Sequence, residues 1–183
     1  MYLTKPTTIK HQHGIALTEV LVALLLLAIG VLGFAALQFR AVAATSESLN
    51  RTQALAIIRG LGERMAVNNT SATVLDFYKT AVNKTGAPAA PTEKCVGSAS
   101  AVTGCSAEQL ANLDAYQAKL AAWQNGISLG MAQCPGTVGA MAKQCLLAAW
   151  DETRPVIGNN DSDCIRLDGN YRRGATCVVL EVF

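Results

Sequence analysis

From Ile15 to Leu37 the chain is apolar at 19 of 23 positions, and Val20 to Leu37 is 18 residues without a charge. A run apolar on every side reads as a helix that no polar face interrupts. At 1.5 Å per residue, 23 residues extend about 34 Å, enough to cross a bilayer. The pattern then changes. Leu49, Thr52, Leu55, Ile58, Leu61 and Met65 recur at three- and four-residue steps, so the helix is expected to continue in amphipathic form to a stop at Asn68-Asn69-Thr70. Glu47/Arg51 and Arg59/Glu63 stand four apart on its other faces, the spacing of helical ion pairs. If straight, Ile15 to Met65 would measure about 76 Å, with Gly60 and Gly62 as its weak points.

Beyond Asn68, residues 71–82 suggest a short helix capped by Ser71, and Asn83 to Ser100 is rich in Pro, Ala, Gly, Ser and Thr and predicts an exposed loop. Ser106-Ala107-Glu108-Gln109 is a capping box. After it Leu110, Leu113, Tyr116, Leu120 and Trp123 fall on one helical face, and Tyr116 and Trp123 are expected in the core. Asn125-Gly126 closes that helix. From there the texture becomes strand-like: Lys143 to Trp150, Cys164 to Leu167 before the turn Asp168-Gly169-Asn170, and Cys177 to Val182. Short turns between strands imply an antiparallel sheet, and a helix spine with a sheet head is α+β.

Composition narrows the chemistry. There are 15 Lys+Arg and 13 Asp+Glu, and two of the lysines, Lys5 and Lys10, precede Gly14. The remainder is balanced at 13 against 13, which does not favour nucleic acid as a main partner. Both histidines, His11 and His13, also precede Gly14, so the rest of the chain holds no imidazole for a Ser-His-Asp or Cys-His site or for zinc. Asp151, Glu152, Asp161, Asp163 and Asp168 cluster late in the chain but lack the spacing of a calcium loop, and Arg166, Tyr171, Arg172 and Arg173 read as a solvated turn. No catalytic residue, metal or cofactor is expected.

Six cysteines, Cys95, Cys105, Cys134, Cys145, Cys164 and Cys177, all follow the apolar run, with no C-x-x-C. Their even number suggests three disulfides and an oxidising compartment. Six thiols allow 15 connectivities. Sequential pairing (95–105, 134–145, 164–177) is the expectation, because each pair closes a short loop across a turn.

The amino-terminal segment admits several readings. The apolar run is long for a cleaved secretory signal, and Ala35-Ala36-Leu37-Gln38 is a poor cleavage site. A plain anchor fits the length but does not explain Glu19, one turn inside the helix. A carboxylate at mid-bilayer costs about 2.5–3.5 kcal/mol, less near the headgroups, where Glu19 could simply snorkel. Cleavage after Gly14 would instead leave an amine on Ile15, four residues from Glu19. A neighbouring subunit shifted along the axis could then pair its amine with this carboxylate. At about 4 Å and a dielectric near 20 the attraction is about 4 kcal/mol before desolvation, and it would fix axial register.

Gly14-Ile15-Ala16-Leu17-Thr18-Glu19-Val20-Leu21 resembles the class III signal of type IV prepilins: a short basic leader, glycine before the cut, an apolar first mature residue and glutamate at the fifth mature place. Here Ile15 stands where phenylalanine is commoner, and Ala36 where many major pilins carry proline. The resemblance implies cleavage between Gly14 and Ile15 by a prepilin peptidase, N-methylation of Ile15, and a role for Glu19 in assembly. Farther on, the helix ending in Trp123, Ile127-Ser128-Leu129-Gly130, Gly136-Thr137-Val138 and the strand ending Trp150-Asp151 resemble PilV-like minor pilins, the type IV pilus modification proteins, with Gly130 in place of a turn proline.

Lys5 and Lys10 on one side of the span tie with Arg40 and Arg51 on the other under the positive-inside rule. The cysteines break the tie in favour of a periplasmic head. The expected organisation is a leader at 1–14, a transmembrane and assembly helix at 15–37, its amphipathic continuation at 38–66 and a periplasmic head at 67–183. The resemblance implies a non-catalytic minor pilin in the inner membrane, later in the pilus, with other major and minor pilins as partners through the helix. The alternatives are a minor pseudopilin of type II secretion and an uncleaved single-pass periplasmic adhesin or ligand-binding domain.

Overall fold

A computed structural model of the chain describes residues 15–92, 104–139 and 142–182. Helix α1 runs Ile15–Asn68, α2 Ala72–Asn83 and α3 Ala107–Gln124. The strands are β1 Ser128–Gln133, β2 Gln144–Ala149, β3 Arg154–Ile157, β4 Asp163–Ile165 and β5 Cys177–Val182. Strands β1, β2 and β5 form a sheet in that order, antiparallel as expected, although β1 is not among the strands that the sequence predicts. A second pair, β3 with β4, is parallel and is a departure from the antiparallel expectation. The chain divides into two compact units, 1–46 and 47–183.

In the first unit α1 buries nothing from Leu17 to Ser46 except a half-buried Ala35. In the second, Ala54, Ile58, Leu61 and Met65 are 0–2% exposed and form the inward stripe. The expected stripe is therefore shifted at its start: Leu49 and Thr52 are exposed and Ala54 takes the inner place. Gly60 and Gly62 do not break the helix. Gly62 serves packing instead, since a Cβ there would meet Val182 Cγ1 at 3.1 Å and Leu180 at 3.6 Å. The bare backbone lets the helix approach the sheet closely. The two i,i+4 pairs do not form ion pairs among the described residues; Glu47 bonds elsewhere.

Helix α2 starts at Ser71, whose hydroxyl accepts from the Val74 N–H at 3.4 Å, and α3 starts with both halves of the Ser106/Gln109 capping box. The large residues of α3 are not the ones inside. Ala111, Ala115 and Ala122 are buried, whereas Tyr116 is half-buried and Trp123 is 58% exposed. This overturns the expected core positions of Tyr116 and Trp123. Short alanine side chains let α3 lie close against its neighbours, and the bulky flank is left at the rim.

The antiparallel sheet has two covered faces. Leu146, Ala148, Trp150, Met131 and Val178 face a core shared with the three helices. Cys145, Leu147, Ala149 and Cys177 face a second cluster with Cys134, Cys164 and Ile165. This explains the unbroken apolar sequence of β2: a central strand covered on both sides has no solvent face to alternate with. Cys134–Cys145 ties the end of β1 to the start of β2, and Cys164–Cys177 ties β4 to β5. Both are the expected pairs. Cys105 is disulfide-bonded, and the expected pair Cys95–Cys105 involves Cys95, which lies outside the described residues.

Candidate functional site

Among the described residues of the first unit, Glu19 is the one carboxylate. Ile15 opens α1 and Glu19 follows four positions later, about one turn along. Glu19 is exposed among exposed Val20, Leu21, Val22 and Leu24. The helix is long and apolar enough to cross a membrane, and its most hydropathic 18-residue window has no buried residue. Lys5, Lys10, His11, His13 and Gly14, the expected leader residues, lie outside the described residues.

The second unit fixes the C-terminal part of α1 by polar bonds that the sequence patterns did not reveal. The buried indole N–H of Trp150 donates to Glu47 Oε2 at 2.9 Å. At the other end of the helix, Asn68 donates to the Tyr78 hydroxyl at 3.2 Å and to the Ala107 carbonyl at 2.8 Å. Tyr78 in turn donates to Asp114 Oδ2 at 2.8 Å, and Arg64 reaches Asp114 Oδ1 at 3.5 Å and bonds Gln117. Asn68, Tyr78 and Asp114 are all under 9% exposed, so the network ties α1, α2 and α3 from within. Burial pushes the Tyr78 phenol above its ordinary range and Asp114 adds to the rise, against the Asn68 amide, which lowers it. The available signal was Asp114 itself, an acid one turn from Leu110, Ala111 and Ala118 on the same helix face.

Asn83, at the end of α2, bonds both backbone groups of Met131: its amide donates to the Met131 carbonyl and its oxygen accepts the Met131 N–H, each at 2.8 Å. This side chain takes the place of a neighbouring strand along β1.

The late acidic cluster is dispersed into separate bonds. Asp163 is fully buried, takes both Nε and Nη2 of Arg154 on one oxygen and the Asn160 N–H on the other. Gly158 is required beside it, because a Cβ there would lie 2.4 Å from Asp163 Oδ2. Asp161 faces Arg172 at 3.5 Å and Asp168 faces Arg166 at 3.6 Å. The Asn170 N–H holds the Asp168 carboxyl below its ordinary range, with help from Arg166. Among the described residues no group of three acids, histidines or cysteines is arranged to hold a metal. The arginines of the Arg166–Arg173 turn are thus partly spent on these acids, and the turn presents no free basic cluster of the kind a polyanion needs.

The first unit thus presents an exposed apolar helix long enough to cross a membrane, and the second is a disulfide-tied α+β head. The sequence comparisons assign the chain further. Residues 9–35 match the prokaryotic N-terminal methylation motif, and residues 36–116 match the family described as Type IV pilin Tt1218. The two matches abut. Together the two matches support a type IV pilin, a structural subunit of a pilus. No curated protein and no solved structure matches it. Membership implies assembly with other pilins and processing of the methylation motif by a prepilin peptidase, in a family whose members are in general structural and non-catalytic.

Proposed function

We propose that this pilin is a minor, PilV-like subunit that primes or modifies type IV pilus assembly. The peptidase cuts between Gly14 and Ile15, the new terminus at Ile15 is N-methylated, and Glu19 accepts the terminal charge of a neighbouring subunit. The observation that carries this reading is the first stretch of α1, whose apolar surface is exposed throughout and interrupted by a single carboxylate. Such a surface is stable only in lipid or against other apolar helices. Residues 15–37 serve as the membrane and assembly segment, 38–66 as its continuation into the head, and 67–183 as the head. The disulfides support a head on the periplasmic side, where thiols are oxidised. The minor role rests on the likeness of the α3-to-β2 stretch, ending Trp150-Asp151, to PilV-like proteins.

Amino-terminal sequencing of the chain from cells with active prepilin peptidase tests the processing. A terminus at Ile15 is expected, and retention of Met1 overturns the reading. For the assembly role, Glu19→Ala is expected to keep its membrane content and to be lost from sheared pili, with substoichiometric amounts of the unsubstituted chain in those pili. Equal recovery of Glu19→Ala in pili would refute the pairing.

A further inference from the structure

A cavity of about 470 Å³ opens on the head between the loop after α2, the end of α3, β1 and β3. Its size lies in the range that encloses small ligands. The exposed indole of Trp123 borders it with Pro88, Pro155 and Val156, and Lys84, Lys119 and Arg154 supply its charge. No carboxylate is among its described lining residues. Two of the cations are held in place by the fold. Lys119 donates to the Ala81 carbonyl at 3.4 Å and to that of Lys84, which leaves one of its three donors unused. Arg154 is held by the buried Asp163, which takes two of its five donors. Lys84 has no bonded side-chain partner among the described residues. Burial lowers the proton affinity of Lys119 and Lys84 adds repulsion; a bound anion would offset both by favouring the charged ammonium.

We propose that this cavity binds an acidic oligosaccharide, with a pyranose ring against the Trp123 indole and a sugar carboxylate between Lys84 and Lys119. The flat apolar face of an indole suits the C–H face of a sugar ring, and charge complementarity selects the acid. Held cations lose little freedom when the ligand arrives, which favours binding. A nucleic acid strand is less well served, because successive bases need a row of aromatic platforms and the described lining residues include one aromatic.

The test uses the full-length chain in detergent micelles, titrated calorimetrically with α-1,4-linked tetragalacturonate, neutral maltotetraose, a tetraglutamate peptide and a six-residue oligothymidylate. Saturable binding of tetragalacturonate is expected, at least about tenfold tighter than the other three. Trp123→Ala and Lys84→Glu, both at exposed side chains, are each expected to weaken it by about tenfold or more while the head melts normally. The proposal is overturned by absence of saturable tetragalacturonate binding, by equal or tighter binding of maltotetraose, the peptide or the oligonucleotide, or by affinity indifferent to either substitution.

Discussion

Leu24 and Ile58 are both apolar residues on α1, yet Leu24 is 57% exposed and Ile58 is 0%. Among the described residues the first stretch of the helix is exposed apart from a half-buried Ala35, whereas the second packs into a core shared with α2, α3 and the sheet. The head therefore carries its own stabilising contacts: a two-sided sheet, disulfides and a buried Asn68–Tyr78–Asp114 network. In the proposed function, lipid and other subunits supply the surroundings of the first stretch. Substitutions in the two regions should accordingly fail in different assays.

The largest expected effect on the head is removal of Cys164–Cys177. Replacing both by Ser should lower head stability by about 3 kcal/mol, given a closed loop of this size, while membrane content of the chain persists. Chemical denaturation followed by Trp fluorescence measures it, and an unchanged midpoint would show that the small β3–β4 pair does not need its tie. Next comes Gly130→Ala. Its Cβ would fall 2.0 Å from the Pro155 carbonyl oxygen, so β1 and β3 must separate, at a cost of about 2–3 kcal/mol. A fully native melting temperature for this variant would contradict the close approach.

The buried phenol supplies a pH test. The folded pKa of Tyr78 is raised, so the folded state holds this proton more tightly than the unfolded state. Its contribution is complete below the ordinary tyrosine value of about 10 and is lost as pH rises past it, at up to about 1.4 kcal/mol per pH unit. Tyr78→Phe should flatten that alkaline slope in stability measured between about pH 10 and 11 relative to the parent. Parallel slopes would remove Tyr78 from the account. An effect of similar size belongs to Glu47. Glu47→Ala leaves the Trp150 N–H buried without an acceptor and should cost about 1–2 kcal/mol, whereas Glu47→Gln keeps an acceptor and should cost less than about 1. At the far end of the scale, Leu24→Ala in the first stretch should leave head stability within about 0.5 kcal/mol of the parent. A large loss there would mean that the two regions are not energetically separate.

The elements with local signals were legible in the sequence. Ser71, the Ser106/Gln109 capping box and the β-branched run at Cys177–Val182 carry their own geometry, and α2, α3 and β5 lie where those signals put them. The Gly14-to-Leu37 motif was equally legible because one apolar run and one glutamate suffice to define it. What was not legible depended on distance in the chain. Glu47 and Trp150 are 103 residues apart, and nothing near either one announces the other. The inward face of α3 was misread because bulk was taken as the mark of burial, whereas close helix packing selects Ala111, Ala115 and Ala122. Strand β3, with Pro155 at its centre, lacks the alternation of a central strand, and its parallel partner β4 has only three residues.

The bond from Asn83 to Met131 has a consequence for a molecule proposed to pack beside many others. A strand whose amide and carbonyl are already taken by a side chain offers no template there for a second copy, and sheet-to-sheet fusion of crowded heads is discouraged at that point. In the proposed assembly this would leave the apolar stretch of α1 as the route by which subunits pack, favouring an ordered fibre over a tangle of joined sheets.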